Sequence, residues 1–347
     1  MTHQSLSLAL SFVLALWSIA ALYHPLRGQV AANPAGGQLT TNPPSVSELV
    51  NLLQSIDPYR AATEVKGTVR VAGSTSMDAL AHIWASGFNE FHKAVKVEIS
   101  AAESEETFKM LMEKPSSIAM LSRPVREEEV AELKKKGLKD PVAFVVAKEA
   151  LAVFVHKTNP VQYITGEQLR AVFTTSDGEA VPTWAKLGAT GDWASKPIHV
   201  ISRTEKSGTQ IYLRDYVFGG STLRPGISAF SSNSEVLHAM DADPLAIAIC
   251  GLKSSGSSVR SLALVVGNTT IPSDDNSVLS GRYPITRAMS VVIDMGQSDA
   301  DAKAAQEYVH FALCQAGQAA TISATLFPVD LPLLRAGLNK LQGAQFR

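Results

Sequence analysis

The stretch Ser202-Arg203-Thr204-Glu205-Lys206-Ser207-Gly208-Thr209-Gln210-Ile211-Tyr212 places an arginine, an acid–base pair and a Ser-Gly-Thr turn ahead of a helical pattern. A helix start leaves N–H groups without partners and carries partial positive charge, so it can hold an anion. A glycine there lets the anion approach the backbone closely. The Arg203 guanidinium adds a planar fork of donors suited to an oxyanion. The plainer use of the same residues is a helix cap, because Ser207 and Gln210 have the Ser-x-x-Gln spacing of a capping box.

Three other strand-to-helix junctions have the same character. Gly73-Ser74-Thr75-Ser76 follows the strand candidate TVRVAG, Ser104 follows VKVEIS, and Ser122-Arg123 follows SIAML. Taken singly, Ser76 or Ser104 reads as a helix cap. In an open α/β sheet, however, all these junctions line the crevice beyond the carboxyl ends of the strands. Four of them, two with arginine, describe a pocket of hydroxyl and amide donors for a tetrahedral oxyanion.

The elements that must position this pocket are legible in the hydrophobic periodicity. Met77, Leu80, Ala81, Trp84, Phe88 and Phe91 fall on one helical face, while Val95, Val97 and Ile99 alternate as a strand. A helix from about Glu105 turns Phe108, Leu111 and Met112 inward. Pro124 opens another, with Glu127 to Glu129 early and Lys134 to Lys136 late before Gly137, matching the helix dipole at both ends. The run Val142 to His156 is β-rich and nearly uncharged; it reads as two strand pieces, or one strand crossing between domains. A helix GEQLRAVF, strands PIHVIS, LAIAIC and YPITRAMSVVID, and helices near 299–314 and 332–342 complete the chain. These are βαβ units, hence mostly parallel sheets covered by helices.

The whole chain narrows the function classes. Its 347 residues, 46 % apolar and 18 % charged, can bury two domain cores. A formal charge of −1 advertises no nucleic acid partner, so any anion site must be local. Residues 4–23 contain no charged side chain and are followed by Val30-Ala31-Ala32. This reads as a signal peptide over 1–32, or as an uncleaved anchor, with a linker and a short helix over 33–65. Cys250 and Cys314 either pair or are two separately buried thiols, and no spacing suggests a metal site. No Gly-x-Ser-x-Gly elbow occurs and no histidine lies in a recognisable triad context, so an enzyme is not expected.

The segments VAGSTSM, IAMLSRPV, GEQLRAVFTT…TWAKLG, IHVISRTEKSGTQIYLRDYVF and YPITRAMSVVI, in that order, resemble the periplasmic phosphate-binding proteins that serve phosphate ABC transporters. The resemblance covers about residues 66 to 315, with Arg-x-x-x-Ser-Gly-Thr as its most specific motif. It implies an α/β fold of two lobes, a clamshell of the periplasmic-binding-protein type. Lobe 1 would comprise 66–150 and 256–347, and lobe 2 would comprise 151–255. The ligand set it implies is Ser74, Thr75, Ser76, Ser104, Ser122, Arg123, Arg203, Ser207, Gly208 and Thr209, with Glu205 orienting Arg203. It also implies phosphate or a similar oxyanion as ligand, a membrane permease as partner, a monomer, no cofactor, and work outside the cytoplasm. The alternative is a membrane-tethered anion sensor or adaptor with the same fold and an altered ligand.

Two positions depart from the family pattern. Arg123 stands where many members have an aspartate, and AAESEET replaces a glycine-rich second loop. Glu105 and Glu106 are expected in the first turn of a helix, pointing to solvent, where they stabilise it through the dipole. If they faced the cleft instead, they would repel an anion.

Overall fold

In the computed structural model, residues 46–61, 64–103, 106–174 and 182–345 are described. The leader, Ser45, Ser104 and Glu105 lie outside them, as do the expectations that rest on those residues. The chain divides into two compact units, Met1–Asn51 and Leu52–Arg347. The described part of the first is the beginning of helix α1 (Val46–Gln54).

The second unit begins with three strands in βαβ order: β1 (Gly67–Gly73), β2 (Val95–Ala101) and β3 (Ile118–Leu121), all parallel. Helix α2 (Asp78–Phe91) links the first two and buries Leu80, Ala81, Trp84 and Phe88. Helix α3 (Glu106–Glu113) links the second to the third. Phe88 is fully buried against the Tyr308 and Phe311 rings. Burying such a side chain contributes about 1.5–3 kcal/mol. Helix α4 (Glu127–Lys135) starts after Arg126, so Pro124 lies in the loop ahead of it and does not open it. Gly137, at φ 119°, supplies the left-handed residue just past its end.

Of the two readings of the run Val142 to His156, the single strand holds: it is β4 (Pro141–His156). Its first part pairs antiparallel with β12 (Thr286–Asp294), from Pro141 opposite Asp294 to Ala150 opposite Thr286. Its second part, from Leu151, pairs with β8 (Ala246–Gly251). β4 therefore passes from one sheet into the other. The second sheet continues through β6 (His199–Arg203) to β7 (Ser228–Phe230), both parallel to their neighbours, and β9 (Val259–Ser261) joins the end of β4. The full order is β2-β1-β3-β12-β4-β8-β6-β7. A small separate sheet holds β5 (Tyr163–Thr165), β10 (Ala263–Val266) and β11 (Thr269–Ile271).

The cores follow this division. One contains Trp84, Phe88, Met120, Phe144, Val291 and Tyr308. Another contains Leu151, Leu169, Trp184, Phe218, Ile249, Leu264 and Tyr283. Residues from Val259 to Ile285 thus pair or pack with the second lobe, and the chain re-enters the first with β12, later than the expected 256. Helices α9 (Ala300–Leu313), α10 (Gln315–Ser323) and α11 (Leu331–Gln345) then close the first lobe. Cys250 and Cys314 are free and buried in different cores, so they are separate thiols. Among the described residues, no helix is long and apolar enough to cross a membrane.

Candidate anion-binding site

The junctions after β1, β3 and β6 converge between the two lobes. Ser74 caps a single helical turn, Thr75–Met77, before α2 and is buried together with Ser122. Their hydroxyls lie 2.8 Å apart, so one proton is shared between them and the other is left to donate. Ser76 Oγ is buried and has no partner. Thr75 Oγ1 reaches across to the second lobe, donating to Ser231 O at 3.3 Å and accepting from Arg203 Nη2 at 2.9 Å.

Arg203 ends β6 and is 2 % exposed. Nη1 donates to Asn233 Oδ1 at 3.0 Å, Nε to Phe230 O at 3.3 Å, and Nη2 also to Ser231 O. All these acceptors are neutral, and among the described residues no carboxylate hydrogen-bonds to Arg203. Burial, followed by the charge of Arg287, lowers its pKa. A buried guanidinium without a bonded carboxylate is costly unless an anion compensates it. Glu205 does not orient it: that residue is exposed, and Asn233 with two backbone carbonyls does the holding.

Helix α6 (Gly208–Tyr212) begins where β6 has just ended. Ser207 Oγ accepts the Gln210 N–H at 3.1 Å, which is the expected cap. The reciprocal arm is absent, because Gln210 Oε1 instead accepts from Ser202 Oγ at 2.8 Å. Gly208 and Thr209 occupy the first two helical positions, whose N–H groups have no acceptor within the helix. Thr209 Oγ1 accepts from Arg287 Nη2 at 2.9 Å and keeps its own proton to donate.

One expected ligand stands apart from this group. Arg123 is buried, but its terminal nitrogens make a two-point ion pair with Glu129 at 2.7 and 2.8 Å. Burial opposes ionisation of Glu129, yet the hydrogen bond from Arg123 holds its pKa below the usual range. Arg123 Nε is buried and without a partner. In the second loop, Glu106 is exposed in the first turn of α3 as expected. Glu103 is turned inward: its Oε1 accepts from Thr204 Oγ1 of the other lobe at 2.7 Å, and its Oε2 is buried without a partner.

Three residues near the site escaped the sequence reading: Glu149, Arg287 and Asn233. Glu149 and Arg287 are charges inside otherwise apolar strands, and a charge in a buried strand marks pairing or function. That signal was present in VAKEALAV and ITRAMSVV. Asn233 opens helix α7 (Asn233–Asp241), whose short amphipathic pattern was not read.

Comparison with known proteins gives concordant findings. A family model described as a PBP superfamily domain matches residues 59–316. The phosphate-binding protein PstS of Pseudomonas aeruginosa is 26 % identical over 297 residues, covering 83 % of this chain and 92 % of its own length. Protein SphX of Synechococcus elongatus is 26 % identical over 294 residues, covering 81 % and 85 %. A Clostridium perfringens protein assigned to phosphate ABC transport and solved with bound phosphate superposes with a TM-score of 0.63. It is 25 % identical and covers 76 % of this chain and 100 % of its own. An ABC-type phosphate transport receptor from Vibrio cholerae, 20 % identical with a TM-score of 0.60 and covering 76 % and 100 %, shares the fold.

Proposed function

Because the chain belongs to the PBP superfamily, we propose that it binds inorganic phosphate between its two lobes and delivers it to the membrane permease of an ABC transporter. The observation that carries this reading is Arg203. It is a nearly fully buried guanidinium, held only by neutral acceptors, beside donors from both lobes. Phosphate supplies the missing negative charge and accepts the unspent protons of Ser74 or Ser122, Ser76, Ser207 and Thr209, together with the N–H groups of Gly208 and Thr209. The Pseudomonas aeruginosa relative that covers 83 % of the chain is named a phosphate-binding protein, and the Clostridium perfringens structure holds phosphate, which supports this reading. The protein acts by binding and release, without turnover, and it acts as a monomer. The uncharged run 4–23 sends it out of the cytoplasm. Arg123 is not a main contact in this reading, because Glu129 engages both of its terminal nitrogens.

The test is a thermal-shift and calorimetric panel of phosphate, arsenate, sulfate and molybdate on protein stripped of bound anion. A ligand that binds only the folded state raises the melting temperature by mass action. Phosphate is expected to give the largest rise. A protein that ignores phosphate at millimolar concentration while responding to another anion overturns the assignment.

A further inference from the structure

The charged residues on the two connecting strands meet at the joint between the sheets. Glu149 on β4 and Arg287 on β12 are direct cross-strand partners. Glu149 Oε2 accepts from Arg287 Nε at 3.0 Å and from Nη2. The same Nη2 donates to Thr209 Oγ1 at the start of α6. The Arg287 side chain is 0 % exposed, and its Nη1 has no partner. At the other oxygen of Glu149, Gly251 leaves room by lacking a side chain: a Cβ there would lie 2.5 Å from Oε1 and 3.2 Å from Asn233 Nδ2. Asn233 in turn accepts from Arg203. A hydrogen-bonded chain therefore runs from Thr209 through Arg287 to Glu149, and Gly251 lies beside both Glu149 and the Asn233 that accepts from Arg203.

A buried ion pair that served the fold alone would be expected to spend all its donors, because a partly satisfied one is costly in a low dielectric. This one leaves the Nη1 amino group unspent on the guanidinium that touches Thr209. It also places Arg287 close enough to Arg203 for their charges to oppose each other. Glu149 hydrogen-bonds to Arg287 and acts on the neighbouring buried Arg203 through its charge alone. The inward Glu103 and the exposed Glu235 also bear on Arg203 through their charges. An anion bound there removes the repulsion and satisfies the spare donor together.

We propose that Arg287 is a second anion-binding cation, carried by the connecting strand, and that Glu149 fixes the plane of its guanidinium so that Nη1 meets the ligand. This rests on the phosphate reading above and adds to it a contact from the connector, besides those of the lobes. Binding then acts directly on the strands about which the lobes turn.

The experiment is phosphate titration calorimetry on the anion-stripped protein, with wild type, Arg287→Gln, Glu149→Gln and the double variant compared. Arg287→Gln is expected to lose at least tenfold in affinity, and Glu149→Gln, which frees the plane of the guanidinium, to lose more than threefold but less than Arg287→Gln. The double variant carries no uncompensated charge, so its melting temperature moves back toward wild type while its affinity stays at least tenfold down. Recovery of phosphate affinity by the double variant to within threefold of wild type makes the pair purely structural and overturns the proposal. Should Arg287→Gln fail to fold, the double variant alone decides the matter. Absence of phosphate binding by the wild type removes both this proposal and the function it rests on, whereas recovery in the double variant removes this one only.

Discussion

Arg203 Nη2 lies 2.9 Å from Thr75 Oγ1, joining the end of β6 in the second lobe to the loop after β1 in the first. Thr204, the next residue, bonds Glu103 of the first lobe at 2.7 Å, and Arg126 meets Asp215 at 3.3 Å. The proposed anion site and the seam between the lobes thus draw on the same short segments after β1, β2 and β6. A ligand held as proposed, by Arg203 and the Ser74–Ser76 loop, would span the seam.

Removing the Arg203 guanidinium is expected to be the most damaging change at the site. Arg203→Ala should weaken phosphate binding by about 2–5 kcal/mol, the cost of a lost charge-assisted pair in a dry site. Thr209→Ala should cost about 1–3 kcal/mol, as for a buried donor. Calorimetric titration of the two variants gives the ranking, and unchanged affinity in Arg203→Ala refutes the site.

Gly251→Ala tests the packing beneath Glu149. The added Cβ would come within 2.5 Å of Glu149 Oε1, so the carboxylate must move or the β8 backbone must shift. Overpacking of this kind costs roughly 1–3 kcal/mol. Urea denaturation should show that loss, and a variant as stable as wild type would mean Glu149 relocates freely.

The exposed acid of the second loop should matter little to the ligand. Glu106→Gln is expected to lower the melting temperature slightly through the helix dipole and to leave phosphate affinity within about threefold, under ~1 kcal/mol. A tenfold gain in affinity would show that this carboxylate acts on the cleft from its surface position.

His310, on helix α9 of the first lobe, predicts a pH dependence of stability. Hydrogen bonding to Cys314 and Glu307 raises its pKa from 6.5 to about 10, against the opposing effect of burial. The group is charged in the folded state over a range where the unfolded chain has lost the proton. Its contribution is therefore full below about pH 6.5 and disappears as pH rises toward 10. Melting temperatures of wild type and His310→Gln should converge as pH rises through that window. A constant difference would show that the ring stays neutral throughout.

The sequence by itself determined the repeating strands and helices of the first lobe and the hydroxyl-bearing turns after β1, β3 and β6. Those are local matters: alternation, helical spacing and cap residues act over a few positions, so Trp84 and Phe88, or Ser207 and Gln210, declare themselves within one turn. The resemblance then carried Arg203, whose motif is contiguous.

Only the tertiary structure decided what each charge would meet. Glu129 lies six residues beyond Arg123 and turns it into an ion pair, while Asn233, thirty residues from Arg203, does the holding expected of Glu205. Glu149 and Arg287 are separated by 138 residues and meet because β4 and β12 run antiparallel in one particular register. A shift of one residue would send the two side chains to opposite faces of the sheet, and no local pattern records that register.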